Sequence, residues 1–359
     1  MSWTIIKVIL PAILTFGIGI LITFPVSNFL YKHKLWKKKS GKVDMRGEET
    51  PVYNKLYEKR DKGTPRMGGA IIWLSVLILV FVFWFLSRIL PNEIFIRLDF
   101  LSRDQTWIPL AALFVGAIVG LLDDYLEIFS TRNIKNITGG LSFKKRLLLT
   151  GMIATFVSGW FYFKLDVQSV GVPFVGDLHV GILIMPIFII LTLLIYGGGV
   201  IDGLDGLAGG VFAIMFSSYG LIAYSLNQIN LAAFCAAIVG GTLAFLWFNI
   251  PPARFYMSET GTMALTITIS IVAFMTDSIV GGIGLFVLPI IAFPLVISIV
   301  TSVLQIFSKK YFNGKKILIA APLHHHLEAI GWPPEKVVMR YWVLTIMLSG
   351  SAIILTLLV

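Results

Sequence analysis

GLAGGVFAIMFSSYGLIAYSLNQINLAAFCAAIVGGTLAFLWFNIPPA, residues 206–253, contains no charged side chain. A hydrocarbon layer about 30 Å thick is crossed by about 20 helical residues at about 1.5 Å each. The stretch therefore reads as two spans, 206–226 and 231–249, with the polar NQIN at 227–230 as a tight turn between them. Its apolar residues run without alternation and are rich in Gly, Ala, Leu and Phe, the pattern of spanning helices and not of barrel strands.

Working outward, further stretches of this kind lie near 4–30, 68–90, 106–122, 147–163, 181–198, 261–276, 281–307 and 339–359. With 57% hydrophobic and 13% charged residues, the chain has too few polar side chains to cover a water-soluble globule. The expected fold is an all-α integral membrane protein of about ten transmembrane helices, a single polytopic domain over 1–359. The first span carries Lys7 but neither a basic leader nor a small-residue cleavage signature, and reads as retained. LDVQSVGVPFVGDLH at 165–179 alternates around Gly171-Val172-Pro173, which predicts a short β-hairpin. The single cysteine, Cys235, lies mid-span and excludes a disulfide framework and a cysteine metal site.

Basic loops stay on the cytoplasmic side. Odd-numbered loops carry about two dozen of the 29 basic residues and even-numbered loops about three. This asymmetry places the loops 31–67, 123–146, 199–205, 250–260 and 308–338 in the cytoplasm, and both termini and the hairpin outside. The net charge of +10 belongs mainly to that inner face, where it meets anionic headgroups and can attract an anionic substrate. Nucleic acid is excluded as a partner, since no soluble domain carries a basic stripe.

Five polar clusters fall on this one side: KGTPRMGG (62–69), LLDDY (121–125), DGLDGL (202–207), NIPPARFYMSETG (249–261) and APLHHHLE (321–328). Asp123 and Asp124 are expected to end the third span, where the macrodipole disfavours carboxylates, so a pair there calls for a cation or metal. A solvated helix terminus would look the same. Asp202 and Asp205, three apart among glycines, are expected to share a helix face opening the sixth span, where caps would also sit. Gly197-Gly198-Gly199 predicts an irregular entry to them. Pro251-Pro252 force an extended loop that delivers Arg254, Tyr256 and Glu259 to the eighth span. His324, His325 and His326 cannot all ligate one ion from a regular helix. Carboxylate-rich sites without cysteine prefer magnesium or manganese, and magnesium works with substrate phosphates. Phosphoryl transfer involving a lipid is the chemistry these clusters fit.

GTPRMGG, LLDDY, GLSFKKR at 140–146, DGLDGLAGG, LWFN at 246–249 and APLHHHLEAIGW together resemble the polyprenyl-phosphate N-acetylhexosamine-1-phosphate transferases over nearly the whole chain. The triple histidine followed by Leu327-Glu328 favours the branch acting on the muramoyl-pentapeptide substrate. The resemblance implies transfer of phospho-MurNAc-pentapeptide from UDP-MurNAc-pentapeptide to undecaprenyl phosphate, giving lipid I and UMP. It implies Mg2+, with Mn2+ as a substitute, and the bacterial cytoplasmic membrane, and it is compatible with a homodimer. It assigns Asp123, Asp124, Glu259 and His324 as catalytic, with Glu259, Asp123 and Asp124 on the metal. Lys62, Asn249 and Tyr256 fall where the nucleoside is held, and Asp202, Asp205, Lys144, Arg146, His325 and His326 line the substrate pocket. The undecaprenyl chain is expected beside the ninth span, bent by Pro289 and Pro294. Where the family reads Met-Gly-Asp this chain reads Met257-Ser258-Glu259. Gly199 stands for an asparagine, and Glu127 and Arg146 for lysines. A relative using UDP-GlcNAc is the near alternative. An ion-coupled transporter is the distant one, disfavoured because such sites lie at the midplane and these carboxylates lie at span ends.

Overall fold

The computed structural model describes residues 2–36, 63–90, 92–129 and 140–359. Among the described residues ten helices are long and apolar enough to cross a membrane. They are α1 (Ser2–Lys32), α2 (Ala70–Ile89), α4 (Trp107–Phe129), α5 (Phe143–Leu165), α6 (Ile184–Gly197), α7 (Leu207–Ser225), α8 (Ile229–Asn249), α9 (Ser258–Met275), α11 (Phe293–Tyr311) and α13 (Pro334–Leu357), α6 being extended by short 3-10 turns at both ends. Short helices α3 (Glu93–Leu98), α10 (Gly284–Ile291) and α12 (Leu323–Ala329) lie between them. The chain is a multi-pass, all-α membrane protein with one β-hairpin.

α9 is the centre of the bundle. Every residue from Thr260 to Met275 is buried. It is also rich in hydroxyls, which a helix inside lipid tolerates only if they are satisfied. Thr266, Thr268 and Ser270 donate back to the carbonyls of Thr262, Ala264 and Thr266. α4 packs along α9, while α8 packs between α1 and α7. The α4–α9 approach depends on Gly120, because a Cβ there would lie 2.1 Å from the Glu259 carbonyl oxygen. No side chain fits.

Three expectations are corrected. α4 continues to Phe129, so Asp123 and Asp124 lie within the helix, not at its end. Tyr125, Leu126 and Ile128 keep the helical pattern going. Asp202 and Asp205 precede the sixth span, which begins at Leu207 after its N-cap residue Gly206 at φ +82°, so they share no face of that helix. The ninth stretch is two helices, α10 and α11, joined at Ala292, with Pro294 in the first turn of α11, where a missing N–H costs nothing.

At the end of the bundle away from the clusters, β1 (Ser169–Val172) pairs antiparallel with β2 (Gly176–His179). Asp277, fully buried, accepts the Gly171 amide at 2.8 Å and the Leu285 amide at 2.7 Å. One carboxylate thus ties the hairpin to the start of α10. Asp277→Ala removes two charge-assisted bonds and strands two buried amides, a loss of about 3 kcal/mol or more. Thermal unfolding in detergent should show a clear fall in midpoint, and a smaller one for Asp277→Asn.

Candidate active site

Backbone bonds bring the loops together before any side chain acts. Tyr256 donates its amide to Pro65 at 2.9 Å, and the amides of Gly68 and Gly69 reach the carbonyls of Tyr256 and Met257 at 2.8 and 3.2 Å. The entry to α2 is thus zipped to the loop before α9. Asn249, buried at the end of α8, accepts the Gly206 amide and donates to the Phe255 carbonyl, both at 2.9 Å. Its amide group clamps three segments. Asp205 accepts the Ala253 amide at 3.1 Å and Asp202 accepts the Ser258 amide at 2.8 Å. Both aspartates therefore reach sideways from the glycine-rich turn onto the 250–258 loop. Ser258 sits at φ +56°, a left-handed conformation that non-glycine residues seldom adopt, and the Asp202 bond holds it there.

The charged layer lies directly above. Adjacent helical residues point about 100° apart, so Asp123 and Asp124 face different neighbours. Asp124 is fully buried and accepts the amide and hydroxyl of Thr260 at 2.8 and 2.6 Å and the Glu259 amide at 3.4 Å. These are first-turn donors of α9, which have no partner inside their own helix, and a carboxylate there also meets the positive end of the dipole. Asp123 accepts the Leu141 amide at 2.6 Å and faces the Arg146 guanidinium at 3.3 Å. The same Nη1 of Arg146 pairs with Glu259. The other Glu259 oxygen receives the Tyr196 hydroxyl at 3.2 Å and the Thr262 hydroxyl at 3.4 Å. One turn beyond Asp123, Glu127 pairs with Arg66 of the GTPRMGG segment.

On the other flank, α12 carries the histidines. His324 and His325 are buried, and both Nε2 atoms face Gly203, where a Cβ would lie 2.9 and 2.8 Å from them. His325 donates Nδ1–H to the Glu328 carboxylate at 2.9 Å, which fixes its tautomer, since an ionised carboxylate can only accept. His326 turns away and accepts the Ile319 amide at 3.3 Å. The run thus divides between two directions. Tyr256 is half-buried on the 250–258 loop, and Lys144 is exposed in the first turn of α5. Lys62 lies outside the described residues.

Five residues that the sequence reading left without a role enter the site: Tyr196, Thr260, Thr262, Arg66 and Glu328. Two carried a usable signal: Glu328, three residues after a histidine and so one helical turn away, and Arg66, inside the GTPRMGG motif.

Among the described residues no three histidine, cysteine or acidic side chains converge as a closed ligand set. Magnesium does not require one, since it takes one or two carboxylates and fills its remaining positions with water and substrate oxygens. Asp123 and Glu259 suit this role, because a single guanidinium already bridges them as a cation would. Asp124 is engaged by the α9 amides and serves to place its neighbours.

Residues 106–277 match the family model described as glycosyl transferase family 4. The chain is 33% identical over 291 residues to a phospho-N-acetylmuramoyl-pentapeptide-transferase of Listeria monocytogenes, covering 80% of this chain and 82% of that one. A protein of the same name from Rickettsia bellii is 33% identical over 307 residues, covering 79% and 77%. One from Clostridium perfringens is 32% identical over 291 residues, covering 79% and 80%.

Two substitutions test this geometry. Ser258→Gly relieves the left-handed backbone and should raise stability by about 0.5–1 kcal/mol, read from thermal unfolding. Thr260→Val removes the hydroxyl bond to Asp124 and should lower stability by about 1–2 kcal/mol, while Thr260→Ser keeps most of it.

Proposed function

The chain belongs to the family of the phospho-N-acetylmuramoyl-pentapeptide transferases, and from that premise we propose that it moves phospho-MurNAc-pentapeptide from UDP-MurNAc-pentapeptide to undecaprenyl phosphate, giving lipid I and UMP. Membership makes it a membrane phosphoglycosyl transferase of peptidoglycan synthesis, with a nucleotide sugar and a lipid carrier as its substrate classes. The reaction on this reading takes place at the cytoplasmic face of the bacterial inner membrane, and the excess of basic residues in the loops of that side supports the orientation.

The observation that carries the reading is Arg146 held between Asp123 and Glu259, on three different helices at one end of the bundle. In the reaction a carrier phosphate oxygen bonds to the sugar-bearing phosphorus, and that phosphorus loses its bond to the oxygen of UMP, which leaves with the electron pair. Asp123 orients the carrier phosphate and accepts any proton it still holds. Arg146 presents a planar, permanently charged donor set to the oxygens of the migrating phosphoryl group. Asp123 and Glu259 would hold magnesium, which when bound would supply charge neutralisation of the diphosphate. Tyr196 and Thr262 hold the Glu259 carboxylate in place. Asp202 and Asp205 shape the 250–258 loop that carries Tyr256 toward the nucleoside. His324 and His325 face the sugar and phosphates across Gly203, with Glu328 setting the imidazole of His325.

The deciding assay is UMP release by the full chain with UDP-MurNAc-pentapeptide, with and without undecaprenyl phosphate. Release should require the carrier, stop on chelation and return with magnesium. Product formed with UDP-GlcNAc alone would overturn the substrate assignment. Asp123→Asn and Glu259→Gln should each lower release by at least about a hundredfold, as expected for loss of charge where the transition state is stabilised. Glu328→Gln should lower kcat more than it raises KM, and full activity in that variant would remove its positioning role.

A further inference from the structure

α13 presents two different faces. Val337, Val338 and Tyr341 are buried, and Tyr341 lies edge-on to His324 with ring centroids 6.3 Å apart, so the inner face backs the histidine helix. On the outer face Lys336 and Arg340 are exposed one turn apart. Both are drawn onto one indole, the Arg340 guanidinium 4.2 Å and the Lys336 ammonium 4.8 Å from the Trp332 ring centroid.

Like charges at this spacing repel, and the attraction of each cation to the ring is modest. An anion placed between them turns that repulsion into attraction. Among the described residues neither cation has a carboxylate partner, and the neighbouring acid, Glu335, is exposed in the first turn. Below the cations the same stripe continues as Val343, Met347 and Ile354, exposed by 60%, 67% and 60%. From Arg340 to Ile354 is about 21 Å along the helix, longer than one leaflet of acyl chain at half of about 30 Å. A phosphate alone would leave this stripe unused.

We propose that Trp332, Lys336 and Arg340 form the headgroup site of an anionic phospholipid, whose acyl chain lies along Val343, Met347 and Ile354. The occupant is a bulk membrane lipid and not the carrier, because the carrier's phosphate has to reach Asp123, Arg146 and Glu259 on α4, α5 and α9, and none of these helices is a principal neighbour of α13. The bound lipid braces the outer side of the helix whose inner side supports His324. The inference needs only the membrane location and stands whether or not the proposed substrates are right.

The test is native mass spectrometry of the full chain in detergent, titrated with phosphatidylglycerol or phosphatidylcholine. The native chain should retain phosphatidylglycerol preferentially. Lys336→Gln with Arg340→Gln should weaken that retention by about thirtyfold, two basic side chains at about 1 kcal/mol each near an anionic surface. Lys315→Gln with Lys316→Gln, exposed lysines of the same loop region, should leave it intact. Equal retention by the first pair, or equal loss in the second, would overturn the site. So would displacement of phosphatidylglycerol by equimolar undecaprenyl phosphate, which would make the carrier the occupant. Loss of a dimer without loss of lipid would assign the face to a second copy and overturn it as well. Thermal unfolding of each variant shows that the loss is not one of folding.

Discussion

A single buried carboxylate organises the active end of this protein. The first-turn amides of α9 lie against α4, where Asp124 accepts the amides of Glu259 and Thr260 together with the Thr260 hydroxyl. An amide stranded there would cost a large fraction of the stability of a domain. The interaction requires α4 and α9 to touch backbone to backbone, which Gly120 permits. Once it is made, Asp123 must face outward to Leu141 and Arg146, and Glu259 must start the helix opposite them. Charge, capping and packing converge on one residue pair.

The spans were legible because the bilayer fixes their length, and the uncharged 206–253 stretch falls within a few residues of α7 and α8. The clustering on one side followed from counting loops. What failed was local reasoning about carboxylates. Asp202 and Asp205 look like caps by spacing, yet they serve the amides of Ser258 and Ala253, about fifty residues away, and no local pattern encodes such a partner. Tyr196 is a lone polar residue in an apolar run, and the Thr260 hydroxyl, although inside the 249–261 cluster, is indistinguishable in sequence from satisfied hydroxyls such as Thr268.

The departures from the family pattern are coupled in space. Glu259 is one methylene longer than the aspartate expected there, and it meets a guanidinium, longer and wider than the ammonium of a lysine. Glu127, where a lysine is usual, is matched by Arg66 from another segment. Ser258, in the place of a glycine, keeps the left-handed turn with help from Asp202. Each of these three changes has a partner within bonding distance, so this part of the site retains its form.

The burial of α9 bears on how the chain reaches its membrane. A helix so rich in threonine and serine is poorly suited to partition into lipid by itself. Its principal neighbours, α4 and α6, precede it in sequence and leave the ribosome earlier. Synthesis order therefore gives this hydroxyl-laden segment a protein surface to enter against, and the crossing need never stand alone among acyl chains.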